Sequence, residues 1–96
     1  MDIVVTYDIN TETRQGARRL AHVAAICERY GERSQYSVFE CRLNDVSLLR
    51  LIGELENEID SSTDSVYVYH LAGTLEGSCR RLGRSVTHQP GQSWLL

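Results

Sequence analysis

The sequence contains no lysine: its ten basic residues are all arginine, in a chain of 96 residues with a formal net charge of −3. A guanidinium group binds phosphate through paired hydrogen bonds, whereas an ammonium acts as a point charge. Six of the arginines lie between residues 14 and 42, while the segment from 43 to 76 is acidic. This distribution indicates a phosphate-binding region. A GC-rich genome, which favours arginine codons, explains the missing lysine equally well.

Membrane and disulfide-rich classes are excluded by other absences. No apolar run approaches the roughly 20 residues of a membrane span, and the first residues, MDIVVTYD, carry acid where a signal peptide needs base. We therefore expect a cytoplasmic protein with no membrane partner. The cysteines Cys27, Cys41 and Cys79 are odd in number and form no CxxC pair, which argues against a disulfide framework and a zinc site. Buried free thiols are expected instead.

Several catalytic motifs are also missing. No serine lies in a GxSxG elbow, no GxxxxGK[ST] phosphate loop is present, and His22, His70 and His88 are scattered along the chain. A catalytic triad, a nucleotide-binding P-loop and a zinc centre therefore find no support.

The patterning predicts one α+β domain over residues 1–96, in which residues 72–96 form a basic tail and a C-terminal strand. A β-branched run over 3–7 and a second run over 66–71 predict strands, and residues 33–43 are extended, as one long strand or a kinked pair. Two amphipathic helices lie between them, the first capped by Thr11 or Thr13 and ended by Gly31, the second capped by Asn44 or Asp45. The expected core face of the first helix is Leu20, Val23, Ala24 and Cys27.

This βαββαβ order predicts a ferredoxin-like plait, whose helices cover one face of an antiparallel sheet. The other face is left bare, so we expect a homodimer through the sheet face. The apolar tail Trp94, Leu95 and Leu96 suits an extra C-terminal strand on a partner's sheet edge, although frayed coil is the alternative. The basic stretch over 77–84 is expected to carry at most one turn of helix.

Asp8 is the best single candidate for chemistry, because an ionised acid at the end of a central strand needs a partner, a ligand or a task. Its alternative role is to cap the turn into the first helix. Mg²⁺ takes one or two carboxylates together with phosphate oxygens. Two copies of Asp8 facing each other across a two-fold axis could therefore share a metal that promotes phosphodiester cleavage.

Four segments together resemble the CRISPR-associated Cas-two (Cas2) family: VVTYDI (4–9), ERYGER (28–33), SQYSVFECRL (34–43) and DSVYVYHL (64–71). The resemblance implies a ferredoxin-like homodimer with an Mg²⁺-dependent (or Mn²⁺-dependent) endonuclease activity on single-stranded RNA or double-stranded DNA. It also implies a partnership with the Cas-one (Cas1) integrase in spacer acquisition. A non-catalytic DNA-binding scaffold that bridges integrase dimers is the alternative function, and a metabolite-binding ferredoxin-like domain is a third.

The same resemblance assigns site residues. Asp8 is the implied metal ligand and Tyr7 its catalytic neighbour, and Trp94, Leu95 and Leu96 are expected to contact the partner. Relatives often carry arginine where this chain has Ala21 and His22, so the arginines of the first helix are expected to substitute. The implied nucleic-acid contacts are Arg14, Arg18, Arg19, Arg33, Ser37 and Phe39.

Overall fold

The computed structural model describes residues 1–71 and 79–84, and these form a five-stranded antiparallel sheet with two helices. The elements in chain order are β1 (Asp2–Asp8), α1 (Arg14–Tyr30), β2 (Gly31–Gln35), β3 (Val38–Arg42), α2 (Asp45–Glu58), β4 (Ser65–His70) and β5 (Cys79–Gly83). The strand order across the sheet is β2-β3-β1-β4-β5. This is the predicted ferredoxin-like arrangement, with a fifth strand added beside β4.

The helix boundaries follow from their caps. The Thr13 hydroxyl accepts a hydrogen bond from the Gly16 backbone at 3.0 Å, and the Asn44 side chain accepts one from the Ser47 backbone at 2.8 Å. Both satisfy amide groups that the first turn of a helix leaves unpaired. The predicted capping positions are therefore confirmed.

Gly31 ends α1, as predicted, but it does so without a left-handed conformation. Its φ is −168°, which any residue adopts, and it is also the first residue of β2. A Cβ at this position would lie 2.3 Å from the Glu40 carbonyl oxygen. Glycine is needed because the helix end and β3 approach each other closely.

The core lies between the helices and one face of the sheet. On β1 and β3 the buried residues alternate with exposed or half-buried ones, as the period of two requires. The buried apolar side chains on β1, β3, β4 and β5 are Ile3, Val5, Tyr7, Phe39, Cys41, Val66, Val68 and Leu82, and those on the helices are Val23, Ile26, Cys27, Leu51, Ile52 and Leu55. The prediction that Leu20 belongs to this face is wrong, because it is exposed and Ile26 packs into the core instead.

The extended segment after α1 is a hairpin, which decides between one strand and two. β2 pairs with β3, Tyr36 and Ser37 form the turn, and the register shifts between Arg33 and Gln35. Two-residue hairpin turns usually need positive φ angles, but within the described residues only Gly83 has one. The register shift in β2 accompanies this turn, which has no positive φ angle.

The basic stretch near residue 80 is a strand, so the prediction of a helical turn there is wrong. Cys79–Gly83 pairs with β4, and Leu82 of this strand is buried opposite Val66. Leu82 is the one buried residue of this strand and the other four are exposed, which suits a strand at the edge of the sheet. The predicted strand at Trp94, Leu95 and Leu96 lies outside the described residues.

The cysteines are free, as predicted, but only two of the three are buried. Cys27 and Cys41 lie in the core, whereas Cys79 on the edge strand is exposed, contrary to expectation. Burial raises the pKa of the Cys27 thiol to about 12. This thiol therefore stays protonated and is a poor nucleophile.

The sheet face opposite the helices has no covering layer within residues 1–71 and 79–84. Val4, Thr6 and Val38 are half-buried on this face, and the rings of Tyr67 and Tyr69 stack at 6.2 Å. We call this surface the open face.

None of the helices described is long and apolar enough to cross a membrane.

Candidate functional site

Asp8 is the last residue of β1, the central strand, and its side chain is exposed. It pairs with Ser65 of β4 and has the same strand parity as Val4 and Thr6, which places it at the end of the open face. Within residues 1–71 and 79–84 its carboxylate has no hydrogen-bond or ion-pair partner. The alternative capping role is not observed, because Thr13 caps α1 and the Asn10 side chain accepts from the Glu12 backbone at 2.9 Å.

A cleft of about 480 Å³ opens beside Asp8, between α1 and the β2–β3 hairpin. Its lining includes Asp8, Arg33 and Tyr36, together with small residues of α1 such as Ala21 and Ala24. The end of β1 and the hairpin thus border one concave surface, and the Asp8 side chain lies at its rim with the parity of the open face. Pockets of this size and mixed lining are typical of ligand sites.

Tyr7 supports the wall of the cleft. It is 6% exposed, its ring stacks on Phe39 at 6.1 Å, and its hydroxyl donates to the Tyr36 carbonyl at 3.3 Å. Its backbone amide donates to the Ser37 carbonyl at 3.2 Å. Burial raises the pKa of Tyr7, an effect that the Arg33 guanidinium partly offsets. The observed contacts of Tyr7 are structural, and its catalytic role stays a prediction.

Phe39 is fully buried, so the prediction that it contacts nucleic acid directly is wrong. Residues alternate between faces along β3, and this parity puts the Phe39 ring against the helices. The exposed Arg33 lies over that ring, with its Cζ 5.1 Å from the ring centroid. Phe39 therefore positions Arg33 through a cation–π contact. Ser37, another of the predicted nucleic-acid contacts, is half-buried in the turn of the same hairpin.

The predicted arginines of α1 fall into two groups. Arg14 and Arg18 are exposed and have no ion pair with the described residues. Arg19 instead donates from Nε to Asp64 at 2.8 Å and from Nη2 at 3.4 Å. Its guanidinium is held within the fold, so of these three arginines Arg14 and Arg18 are the ones that present free charge on α1.

Asp64 is a residue that sequence reasoning missed, because it ends a run of polar residues over 60–64, a composition typical of a solvent-exposed loop. Its side chain is 0% exposed and accepts hydrogen bonds from the backbone amides of Asn10 and Asp60, both at 2.9 Å, besides the pair with Arg19. Burial alone would raise the pKa of Asp64, but the Arg19 guanidinium and these amides outweigh it and hold the pKa below its usual value. Asp64 therefore fixes the start of the β1–α1 loop, two residues after Asp8.

The described part of the chain holds no complete set of metal ligands. No group of three metal-ligating side chains occurs among residues 1–71 and 79–84. Asp8 offers one exposed carboxylate without an internal partner, and carboxylate oxygen is the donor that Mg²⁺ prefers. The donor chemistry fits Mg²⁺, and a second carboxylate or phosphate oxygens would be needed to complete the coordination.

Comparisons with known proteins place these features in context. A family model described as "CRISPR associated protein Cas2" matches residues 1–77. The CRISPR-associated endoribonuclease Cas2 of Chlorobaculum tepidum is 42% identical over 83 residues, which is 86% of each chain. The CRISPR-associated endonuclease Cas2 of Halalkalibacterium halodurans is 37% identical over 83 residues, again 86% of each chain.

Solved structures agree with the sequence relatives. The crystal structure of Streptococcus pyogenes Cas2 at pH 6.5 superposes with a TM-score of 0.70 at 46% identity, covering 75% of this chain and 87% of that one. A Thermus thermophilus protein of 33% identity gives a TM-score of 0.66, covering 78% of this chain and 85% of the other. These similarities extend over most of the chain.

Proposed function

Since this chain belongs to the Cas2 family of CRISPR-associated proteins, we propose that it is a metal-dependent endonuclease whose site is shared by two copies of the chain. The observation that carries the proposal is Asp8. It is an exposed carboxylate at the end of the central strand with no partner in the described fold, beside a cleft that also presents Arg33. The oxygens of a carboxylate left free in this position remain available to a metal ion from outside the chain.

The second copy is proposed to pack on the open face. Val4, Thr6 and Val38 leave apolar surface there that the helices do not cover. A two-fold contact buries the same patch on both chains, and it would bring the two Asp8 side chains toward one axis. Two carboxylates and the phosphate oxygens of a substrate would then supply the donors that one chain lacks.

In this site Asp8 would hold Mg²⁺ or Mn²⁺, which lowers the pKa of bound water and stabilises charge on the phosphate when bound. Arg33, which Phe39 supports, is placed to bind the phosphate of the strand in the cleft. Arg14 and Arg18 extend the positive surface along α1. Such contacts bind the backbone without reading the base sequence.

The substrate class is proposed from the relatives. Relatives from Chlorobaculum tepidum and Moorella thermoacetica are named endoribonucleases, and that from Halalkalibacterium halodurans is named an endonuclease. We therefore propose single-stranded RNA or double-stranded DNA as the substrate. The family context also supports a role with the Cas1 integrase in spacer acquisition.

The test is cleavage of labelled RNA and duplex DNA by the purified chain with Mg²⁺, Mn²⁺ or EDTA. Replacement of Asp8 by asparagine (Asp8→Asn) should lower metal-dependent cleavage by more than about 100-fold, since even groups that only orient metal ligands are worth 10- to 100-fold. Asp2→Asn is the matched control. Asp2 lies on the same strand and parity, is exposed, and occupies the opposite end, so its replacement should leave the rate unchanged.

A scaffold that binds nucleic acid without cleaving it is the second candidate. The exposed Arg14 and Arg18 on α1, together with Arg80 and Arg81 on the edge strand β5, favour it. Their phosphate contacts require no metal and should give strongly salt-dependent binding. If the wild-type chain binds duplex DNA but shows no metal-dependent cleavage, the result would support the scaffold and contradict the nuclease. Full cleavage by Asp8→Asn would exclude the proposed metal site.

A further inference from the structure

Tyr36 lies at the tip of the β2–β3 hairpin and is the most exposed large apolar side chain of the described residues, at 93%. Its ring contributes almost no buried surface to the fold, so the folded chain gains nothing from an aromatic group there. Yet its backbone is fixed, because the Tyr36 carbonyl accepts from the Tyr7 hydroxyl and the next carbonyl accepts from the Tyr7 amide. The ring is thus presented to solvent from a firmly held turn.

The surroundings of the ring indicate what it would meet. Tyr36 lines the same cleft as Asp8 and Arg33, so a strand whose phosphate contacts Arg33 would pass beside the ring. The exposed charge contributed by the hairpin to this cleft is positive, which suits a polyanion. An exposed aromatic ring beside a phosphate contact is the arrangement by which single-strand binders meet the bases of a strand.

We propose that Tyr36 is a stacking platform for one unpaired nucleobase of the bound strand, and that it gives this chain a preference for single-stranded over duplex nucleic acid. This inference rests on the proposed function and adds a specificity determinant to it. Stacking needs the face of a base, which a duplex hides between neighbouring pairs and a single strand exposes. It is also tolerant of sequence, since every base offers such a face.

The experiment measures binding in EDTA, so that no cleavage is required. Fluorescence anisotropy with a labelled RNA of about 12 nucleotides, within the range of single-strand sites, compares wild type with Tyr36→Ala. The dissociation constant should rise by roughly 5- to 100-fold, the value of one aromatic–base stack. Tyr36→Phe should bind like wild type and Tyr36→Leu like the alanine variant. Replacement of the side chain leaves the Tyr36 carbonyl, and hence its bond to Tyr7, in place.

An RNA backbone of the same length with every base removed separates the contribution of base stacking from that of the phosphate contacts. Tyr36→Ala should bind it as wild type does, whereas Arg33→Gln should weaken binding to both strands, because it removes a phosphate contact. Leu49→Ala is the control for loss of an exposed apolar side chain, since Leu49 on α2 is 65% exposed and outside the cleft. It should change neither affinity.

Three results would overturn the proposal: unchanged RNA binding by Tyr36→Ala, an equal loss on the base-free backbone, or wild-type affinity in Tyr36→Leu. Failure of the nuclease proposal is separate. A Tyr36 effect on binding without any metal-dependent cleavage would support the platform and contradict the nuclease. Cleavage that Asp8→Asn abolishes, without any Tyr36 effect, would support the nuclease and overturn the platform.

Discussion

Two aspartates at the same end of the sheet have opposite surroundings. Asp8 ends β1, and Asp64 immediately precedes β4, where Ser65 pairs with Asp8. Asp64 is completely buried and accepts from Arg19, Asn10 and Asp60. Asp8 is exposed and has no partner in the described part of the chain. The same carboxylate group therefore stabilises the fold at Asp64 and remains available to an external ligand at Asp8.

The difference follows from the cost of burying charge. A carboxylate removed from water must regain its lost hydration from hydrogen bonds and a counter-charge. Asp64 does so, and because Arg19 of α1 and Asn10 of the β1–α1 loop are 45 and 54 residues away, it joins both of them to the α2–β4 loop. Asp8 keeps its hydration and needs no such partners, so its oxygens remain free for a metal. The two residues should respond to mutation in opposite ways.

Asp64→Ala should give the largest change in stability. It leaves the Arg19 guanidinium and two backbone amides without their acceptor, and breaking a buried charge pair costs about 3 to 5 kcal/mol. Urea denaturation followed by circular dichroism measures the free energy of unfolding. Asp8→Ala is the matched control, because it removes the same group from the same end of the sheet. A loss below about 1 kcal/mol in Asp64→Ala would show that the network does not stabilise the fold.

Acid should abolish the contribution of Asp64. Its pKa is lowered in the folded chain, because the bonds from Arg19 and the backbone amides outweigh the effect of burial. A lowered folded-state pKa gives stability that is present above the unfolded pKa, about 3.9, and is lost as the pH falls through the folded value. The difference in unfolding free energy between wild type and Asp64→Asn should therefore shrink below about pH 4.

Taking that difference removes acids outside the network from the measurement. Glu54, whose pKa is lowered mainly by the Tyr30 hydroxyl, titrates in both proteins. Asp60, whose pKa is lowered mainly by Ser62, also interacts with Asp64 and therefore belongs to the same network. If the difference in unfolding free energy between wild type and Asp64→Asn stays constant from pH 7 to well below pH 4, the assignment of the lowered pKa to Asp64 is contradicted.

The same comparison shows what the sequence could predict. Asp8 was predicted because its signal is local: an acid directly after a β-branched run. The caps Thr13 and Asn44 were predicted for the same reason, since a cap is a relation between neighbouring residues. Asp64 carries no such signal. Its partner Arg19 lies 45 residues away, and only the packing of α1 against the α2–β4 loop brings the two together.

Side-chain direction was the other limit. The segment over 33–43 is apolar on both parities, so its letters do not decide that Phe39 is buried and Arg33 exposed. On α1, Leu20 and Ile26 are both apolar, and a small rotation of the helix decides which one meets the sheet. On β5, exposed arginines hid a strand that only Leu82 ties to the core. Each error reflects a choice made by packing between chemically equivalent patterns.

Asp8→Asn should have the smallest effect on stability. The direction in which it changes self-association of the chain is informative. An exposed side chain without partners contributes within about 0.5 kcal/mol of unfolding free energy. If two copies of Asp8 face each other in a dimer, their like charges repel, so in EDTA at low salt the asparagine variant should associate as tightly as wild type or more tightly. Mg²⁺ should strengthen association of the wild type and leave the variant unchanged. Sedimentation with and without Mg²⁺ measures this, and weaker association of the variant in EDTA would mean that Asp8 has a structural partner after all.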